Sequence, residues 1–214
     1  MTERAGDRAI RDFRMRLTDH LLARFLGLAY EGDEHSFTEQ QHLNLEISQN
    51  RMYEHSILRI NYTSYDMRRS QDSINPRMHP DVMVLSHDDD AGPNTQLHPY
   101  WYARVLGIFH VMARYVGPNS QSSDMLRMDF LWVRWFGLDP DMRTGWQARR
   151  LPAVGFVPET DPDAFGFLDP QEVLRGAHLI PAFHHDLAEG LLHPNSCARR
   201  ADEAQDWSLF NPNM

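Results

Sequence analysis

Five side chains late in the chain have the donor chemistry of a zinc site: His178, His184, His185, His193 and Cys197. Zinc favours imidazole nitrogen and thiolate sulfur. Neighbouring histidines on a strand point to opposite faces, however, and the spacing here is irregular. Polar loop histidines are the plainer reading, and no metal is expected. Four aspartates, Asp66, Asp81, Asp129 and Asp169, are the residue type that holds two metal ions for phosphoryl transfer. Only Asp129 falls inside a firm strand, where it is more simply the solvent-facing partner of Arg127 or Arg104. The adjacent run Asp88, Asp89 and Asp90 reads as a solvated loop tip.

Arginine offers a different chemistry. Every basic side chain is arginine and lysine is absent. Its planar fork grips carboxylate or phosphate in two places, where an ammonium makes a point contact. Two groups stand out. Arg68, Arg69 and Arg77 fall in one polar stretch, and Arg143, Arg149 and Arg150 surround Trp146. Basic residues interleaved with an aromatic can clamp and stack on a nucleic acid. The plainer alternative is a compositional bias from lysine to arginine. A formal charge of −9 and a pI near 5.7 argue against wrapping a phosphate backbone by bulk electrostatics. No Gly-rich phosphate loop, HExxH, CxxC or GxSxG occurs, so nucleotide hydrolysis, the common zinc sites and serine hydrolysis have no support. No catalytic residue and no cofactor is assigned, and the chain is read as not an enzyme.

These side chains must be carried by elements. Residues 8–28 predict an amphipathic helix, with apolar Ile10, Phe13, Leu17, Leu21, Phe25 and Leu28 at three- and four-residue steps. Asp7 would cap it, and Gly27 or the stretch 31–33 would end it. A helix packed on its own domain is favoured over a partner-binding helix displaying Arg14, Arg16 and Arg24. Ser36 and Glu39 have capping-box spacing and predict a second helix to about Ile47, broken by Asn50.

From Arg51 the period becomes two: Leu58, Ile60 and Tyr62 alternate with Arg59, Asn61 and Thr63, a half-buried strand. Residues 67–80 read as a long polar loop, 81–85 as a buried strand, and 86–99 as an acidic loop. Residues 101–116 and 126–136, rich in aromatic and β-branched side chains, flank a polar connector and predict an antiparallel pair at the centre of the core. Short strands are expected over 151–157 and within 161–170, a helical turn over 170–175, and a last strand over 176–183. Pro181 marks that last strand as an edge or a bulge.

The expected fold is mainly β with N-terminal helices (α+β): a small curled antiparallel sheet or partly open β-barrel with long loops. Its parts are an N-terminal helical segment (1–50) packed on the domain, an antiparallel β domain (51–185), and an irregular C-terminal tail (186–214) whose aromatic end suggests a truncated parent. At 214 residues, 42% hydrophobic and 24% charged, a single core is within reach. The single cysteine excludes an internal disulfide framework and fits a reducing compartment. No apolar run approaches the ~18–20 residues of a membrane span, and residues 1–30 lack a signal-peptide core. An intracellular, nuclear location and no membrane partner are expected.

Several long phrases carry a resemblance: DHLLARFLGLAYEGDE, ILRINYTSYDMRRSQDSINPRMHPDVMVLSHD, HPYWYARVLGIFHV, MDFLWVRWFG and LPAVGFVPETDPDAFGFLDPQEVLRGAHLIPAF. Over residues 10–185 the chain resembles the region downstream of the transposase in Plavaka-type DNA transposons of fungi, related to the CACTA (En/Spm) superfamily. It is similar, too, to the domain of unknown function that follows the transposase in plant CACTA elements. In that family the catalytic core is an upstream RNase-H-like domain, so the resemblance carries over no catalytic residue. It implies a non-catalytic accessory or interaction domain with a chromatin or protein partner. The alternatives are a DNA-binding accessory domain using Arg68, Arg69, Arg77, Arg143, Trp146, Arg149 and Arg150, and a degenerate fragment without independent function.

Overall fold

A computed structural model describes residues 6–29, 35–86, 98–118, 120, 124–138, 152–200 and 203–213. Asp7 caps a short 3-10 turn at Arg8–Ile10, and α1 (Phe13–Phe25) follows. Its apolar stripe does what the spacing predicts: Leu17 and Leu21 pack against Val111, Ala113, Met128, Phe130 and Phe167 of the sheet. Gly27 ends the helix at φ +67°, where a side chain would be strained. Leu28 N–H then reaches Ala23 C=O and Gly27 N–H reaches Arg24 C=O, the paired bonds of a Schellman motif.

The second helix is shorter than predicted. α2 (Glu39–Leu43) is capped by Thr38 and Gln41, not by Ser36 and Glu39. Both pairs have the required spacing; the later one is used. The helix then stops, because Leu45 and Ile47 gain more by pairing with the sheet as β1 (Leu45–Ile47), opposite Tyr115 and Ala113. Residues 45–47 therefore belong to the sheet and not to a helical segment.

The remaining strands are β2 (Tyr53–His55), β3 (Leu58–Thr63), β4 (Arg69–Ile74), β5 (Asp81–Leu85), β6 (Tyr100–Tyr115) and β7 (Leu126–Leu138). They continue with β8 (Val154–Phe156), β9 (Phe165–Leu168), β10 (Val173–Gly176), β11 (His178–Pro181), β12 (Leu187–Ala188), β13 (Asp206–Trp207) and β14 (Phe210–Asn213). The main sheet is antiparallel and runs β10-β5-β6-β7-β8-β14-β11, with β1 and β2 also on β6 and β9 also on β7. It does not close into a barrel.

The long pair β6–β7 is the spine, in register from Tyr102↔Phe136 to Ala113↔Leu126, with a bulge between Val105 and Gly107. Phe130, Leu131 and Val133 on β7 are fully buried. Burying an apolar side chain of this size contributes about 1.5–3 kcal/mol. The aromatic density of residues 98–136 therefore builds the core, as the sequence predicts.

Three further stretches differ from expectation. Residues 170–175, expected as a helical turn, are a 3-10 turn only over Pro170–Glu172, and residues 173–175 belong to β10, paired with β5. Residues 69–74, expected within a polar loop, form β4 and pair with β3 over the whole register Leu58↔Ile74 to Thr63↔Arg69. Their inward face is polar because Asp72 has work there. It accepts from Gly176 N–H at 2.9 Å and from Tyr62 OH at 3.3 Å. The C-terminal stretch is likewise not an irregular tail: β14 lies inside the main sheet, between β8 and β11. Phe210 and Pro212 are buried there. β11 is consequently an edge strand, as Pro181 suggested, but it is not the last strand. Among the described residues no helix is long and apolar enough to cross a membrane.

Candidate functional site

The β3–β4 hairpin decides where the first arginine group lies. Arg69 begins β4 and Arg68 precedes it in the turn, both exposed. Arg68 Nε pairs with Asp66 at 3.0 Å. Arg77 lies past the other end of β4, beyond Ile74, and its carbonyl accepts from Arg200 Nη2 at 2.7 Å. Arg69 to Ile74 spans roughly 17 Å of strand, so the hairpin separates Arg77 from Arg68 and Arg69. A third exposed arginine, Arg59 on β3, was not singled out from the sequence; it shares the hairpin's outer face with Arg69 because β3 and β4 are in register. Arg143, Trp146, Arg149 and Arg150 lie outside the described residues, as do Asp88, Asp89 and Asp90.

The four candidate carboxylates do not converge, and each has its own arginine. Asp66 takes Arg68, Asp81 takes Arg104, Asp129 takes Arg127 and Asp169 takes Arg24. The Arg24–Asp169 pair is close, at 2.7 Å, and Arg24 Nη1 also donates to the Asp129 carbonyl at 2.6 Å. Burial lowers the Arg24 pKa, with Asp169 and Asp129 opposing it. A two-metal centre needs carboxylates sharing a cation; here the cations are guanidinium groups.

Arg104 and Arg134 are buried. Arg104 forks onto both oxygens of Asp81 (2.8 and 3.1 Å) and reaches Glu203. Arg134, only 2% exposed, forks onto Asp206 at 3.1 and 3.0 Å and lies 3.8 Å from the centre of the Phe156 ring. Both serve the framework.

The late histidines and Cys197 do not assemble. The His184 and His185 rings lie against each other, with centroids 4.1 Å apart. His193 Nδ1 accepts from Asn195 N–H at 3.2 Å, and Cys197 N–H donates to Asp7 Oδ2 at 2.6 Å.

A different cluster does assemble. Among the described residues, one group of three His, Cys, Asp or Glu side chains has its donor atoms mutually within 4.8 Å: His55, His110 and Asp129. Register brings them together. On β6 and β7, His110 stands directly opposite Asp129, and on β2 and β6 it stands opposite Tyr53, two residues before His55. His55 Nε2 lies 2.7 Å from His110 Nδ1, and the rings are near parallel, 4.9 Å apart. The Tyr53 ring stacks on His110 at 4.9 Å and 13°, fixing its orientation. Partial desolvation holds the His110 imidazole below its usual range; Arg127 and His55 add to this and Asp129 opposes it. His55 and Asp129 line a cleft of about 380 Å³ together with Arg24, Arg127, Asp169 and Gln171. Asp129 was singled out from the sequence but its histidine partners were not. Three strands distant in sequence supply them, and only the β6–β7 register could have pointed to the His110–Asp129 pair.

No family model, curated protein or solved structure matches this chain.

Proposed function

We propose that this chain is a non-catalytic interaction domain of a transposon-encoded protein, acting in the nucleus on a chromatin or protein partner. The observation that carries this reading is the β3–β4 hairpin, a two-stranded sheet of its own. Its inner face is anchored: Ile60 and Ile74 join the core, and Arg175 stacks over Tyr62 at 4.9 Å. Its turn is not. Tyr65 and Met67 are 105% and 83% exposed, on a tip that the anchored strands hold in one place. A rigid aromatic with little entropy to lose on binding suits an interface anchor.

The resemblance to the region downstream of Plavaka-type transposases supports the proposed origin. Its phrases HPYWYARVLGIFHV and MDFLWVRWFG fall on β6 and β7, and ILRINYTSYDMRRSQDSINPRMHPDVMVLSHD spans β3 and β4, so the likeness takes in the framework and the exposed hairpin alike. The test is recovery of nuclear proteins and histone peptides by the tagged chain, beside a Tyr65→Ser/Met67→Ser variant. Capture by the native chain and its loss in the variant are expected. No capture, or equal capture by both, overturns the reading.

The outer face of the same hairpin favours a second reading. Arg59, Asn61, Thr63, Arg69, Gln71 and Ser73 are all exposed there. A two-stranded ribbon of arginine and amide side chains has the size and donor chemistry to enter a DNA major groove. Gel-shift titration with transposon terminal repeats at low salt tests it. Affinity that falls steeply with salt, and is weakened by Arg59→Ala and Arg69→Ala, is the expected signature.

A further inference from the structure

The cluster on β2, β6 and β7 carries an inference beyond the interaction reading and independent of it. Two imidazole nitrogens 2.7 Å apart can hold only one hydrogen between them, so one nitrogen must present a lone pair to the other. The Asp129 carboxylate is the third donor of the same group. These are three metal-ligand side chains of two types, their donor atoms mutually within 4.8 Å, carried by three strands whose spacing the sheet fixes. We infer that His55, His110 and Asp129 bind one first-row divalent transition-metal ion, Zn²⁺ by donor type.

Two imidazoles and a carboxylate suit zinc, and calcium and magnesium prefer all-oxygen sets. Tetrahedral zinc with Zn–N bonds of roughly 2.0–2.1 Å holds its two nitrogens about 3.3 Å apart. The two rings therefore need to part only slightly, a small side-chain rotation with no movement of the strands. Tyr53 already fixes the His110 ring plane by stacking. His55 and Asp129 also line the cleft that holds Gln171 and Asp169.

The Arg127 guanidinium marks where positive charge is accommodated. Its Nη2 lies 2.8 Å from Asp129 Oδ1 and 3.5 Å from His55 Nε2. The Arg127 side chain is 53% exposed, so solvent can take up the guanidinium when Asp129 is engaged elsewhere. A metal ion entering the cluster displaces this internal cation, so Arg127 competes with metal for Asp129. Once bound, the ion ties the short strand β2 to the β6–β7 spine.

Calorimetric titration of the full chain with ZnSO4 tests the site. The native chain is expected to take up one equivalent. His55→Gln and His110→Gln lose it, and a His184→Gln/His185→Gln double variant keeps it. Arg127→Gln binds about fivefold tighter, because it removes a like charge close to the ion at an exposed site. The ligand side chains are half-buried rather than in the core, and circular dichroism confirms that each variant is folded. The Arg127→Gln arm removes no ligand and acts in the opposite direction, so it separates loss of the site from loss of the fold. No uptake by the native chain, an equivalent retained by His110→Gln, or one lost only in the His184/His185 variant overturns the proposal. Either of the first two results leaves a histidine pair sharing a proton.

Discussion

Arg104 and Arg134 stand directly opposite each other across β6 and β7, two buried cations in register. Like charges in that position repel. The sheet tolerates them because each has its own carboxylate, Asp81 from β5 and Asp206 from β13, and because Phe156 lies within 4.9 Å of Arg104 and 3.8 Å of Arg134. Arg134 is the more exacting of the two. Burial lowers its pKa, the hydrogen bond and charge of Asp206 oppose that, and Arg104 and Arg199 lower it further. Asp206→Asn should therefore cost about 3–5 kcal/mol, the usual result of leaving a buried charge without its partner. Asp81→Asn should cost less, because Arg104 keeps Glu203 at 3.2 Å. Urea denaturation of the two variants checks the order.

Tyr102 gives the fold an alkaline limit. Burial, with a smaller contribution from the nearby Tyr100, pushes its hydroxyl up to about 12 from the ordinary 10.0. Between those values the folded chain keeps a proton that the unfolded chain releases. Stability is complete below pH 10 and falls as the pH rises toward 12, by up to roughly 2–3 kcal/mol. Tyr102→Phe should flatten this decline. Denaturation at pH 8 and pH 11 measures it, and equal slopes for both proteins would count against a raised Tyr102.

The hairpin should separate binding from stability. Tyr65→Ser at the exposed tip is expected to change stability by no more than about 0.5 kcal/mol. Ile74→Ala at the anchored end, where Ile74 is 1% exposed, should cost about 2–5 kcal/mol. A thermal melt of each variant distinguishes them.

Gly155 on β8 is required for another reason. A Cβ there would stand 2.7 Å from the backbone oxygen of Ser208, which cannot rotate away. Gly155→Ala is expected to push the segment before β14 off β8 and cost about 1–3 kcal/mol. Weaker proteolytic resistance after residue 203 would accompany it.

How far these features can be read from sequence depends on how local their causes are. The alternation of Leu58, Ile60 and Tyr62 is local, and β3 follows from it. Its partner β4 has only Ile74 as an apolar inward residue, because Asp72 is satisfied by Gly176 far along the chain, so the segment resembles a loop. β14 hides behind Pro212, a residue that argues against a strand inside a sheet. It is tolerated because β8 meets β14 only at Phe210, leaving Pro212 with β11 alone. Thr38 and Ser36 offer the same capping pattern, so spacing alone does not tell which one is used. Arg77 is separated from Arg68 for a similar reason: a hairpin sends its two ends to opposite places. The histidine cluster is the extreme case, since nothing but strand register brings His55, His110 and Asp129 together.

The position of β14 bears on how the chain comes off the ribosome. β11 has β14 as its neighbour in the sheet, and β14 in turn touches β8 at Phe210. Until residues 210–213 emerge, β11 has no place to dock, and Phe136 and Phe156 lack the edge of Phe210 that completes their stack. The β6–β7 hairpin can form during synthesis, but this side of the sheet must wait. A nascent chain whose residues 210–213 have not yet emerged would present its aromatic flank to chaperones, while one in which they have emerged would bury it.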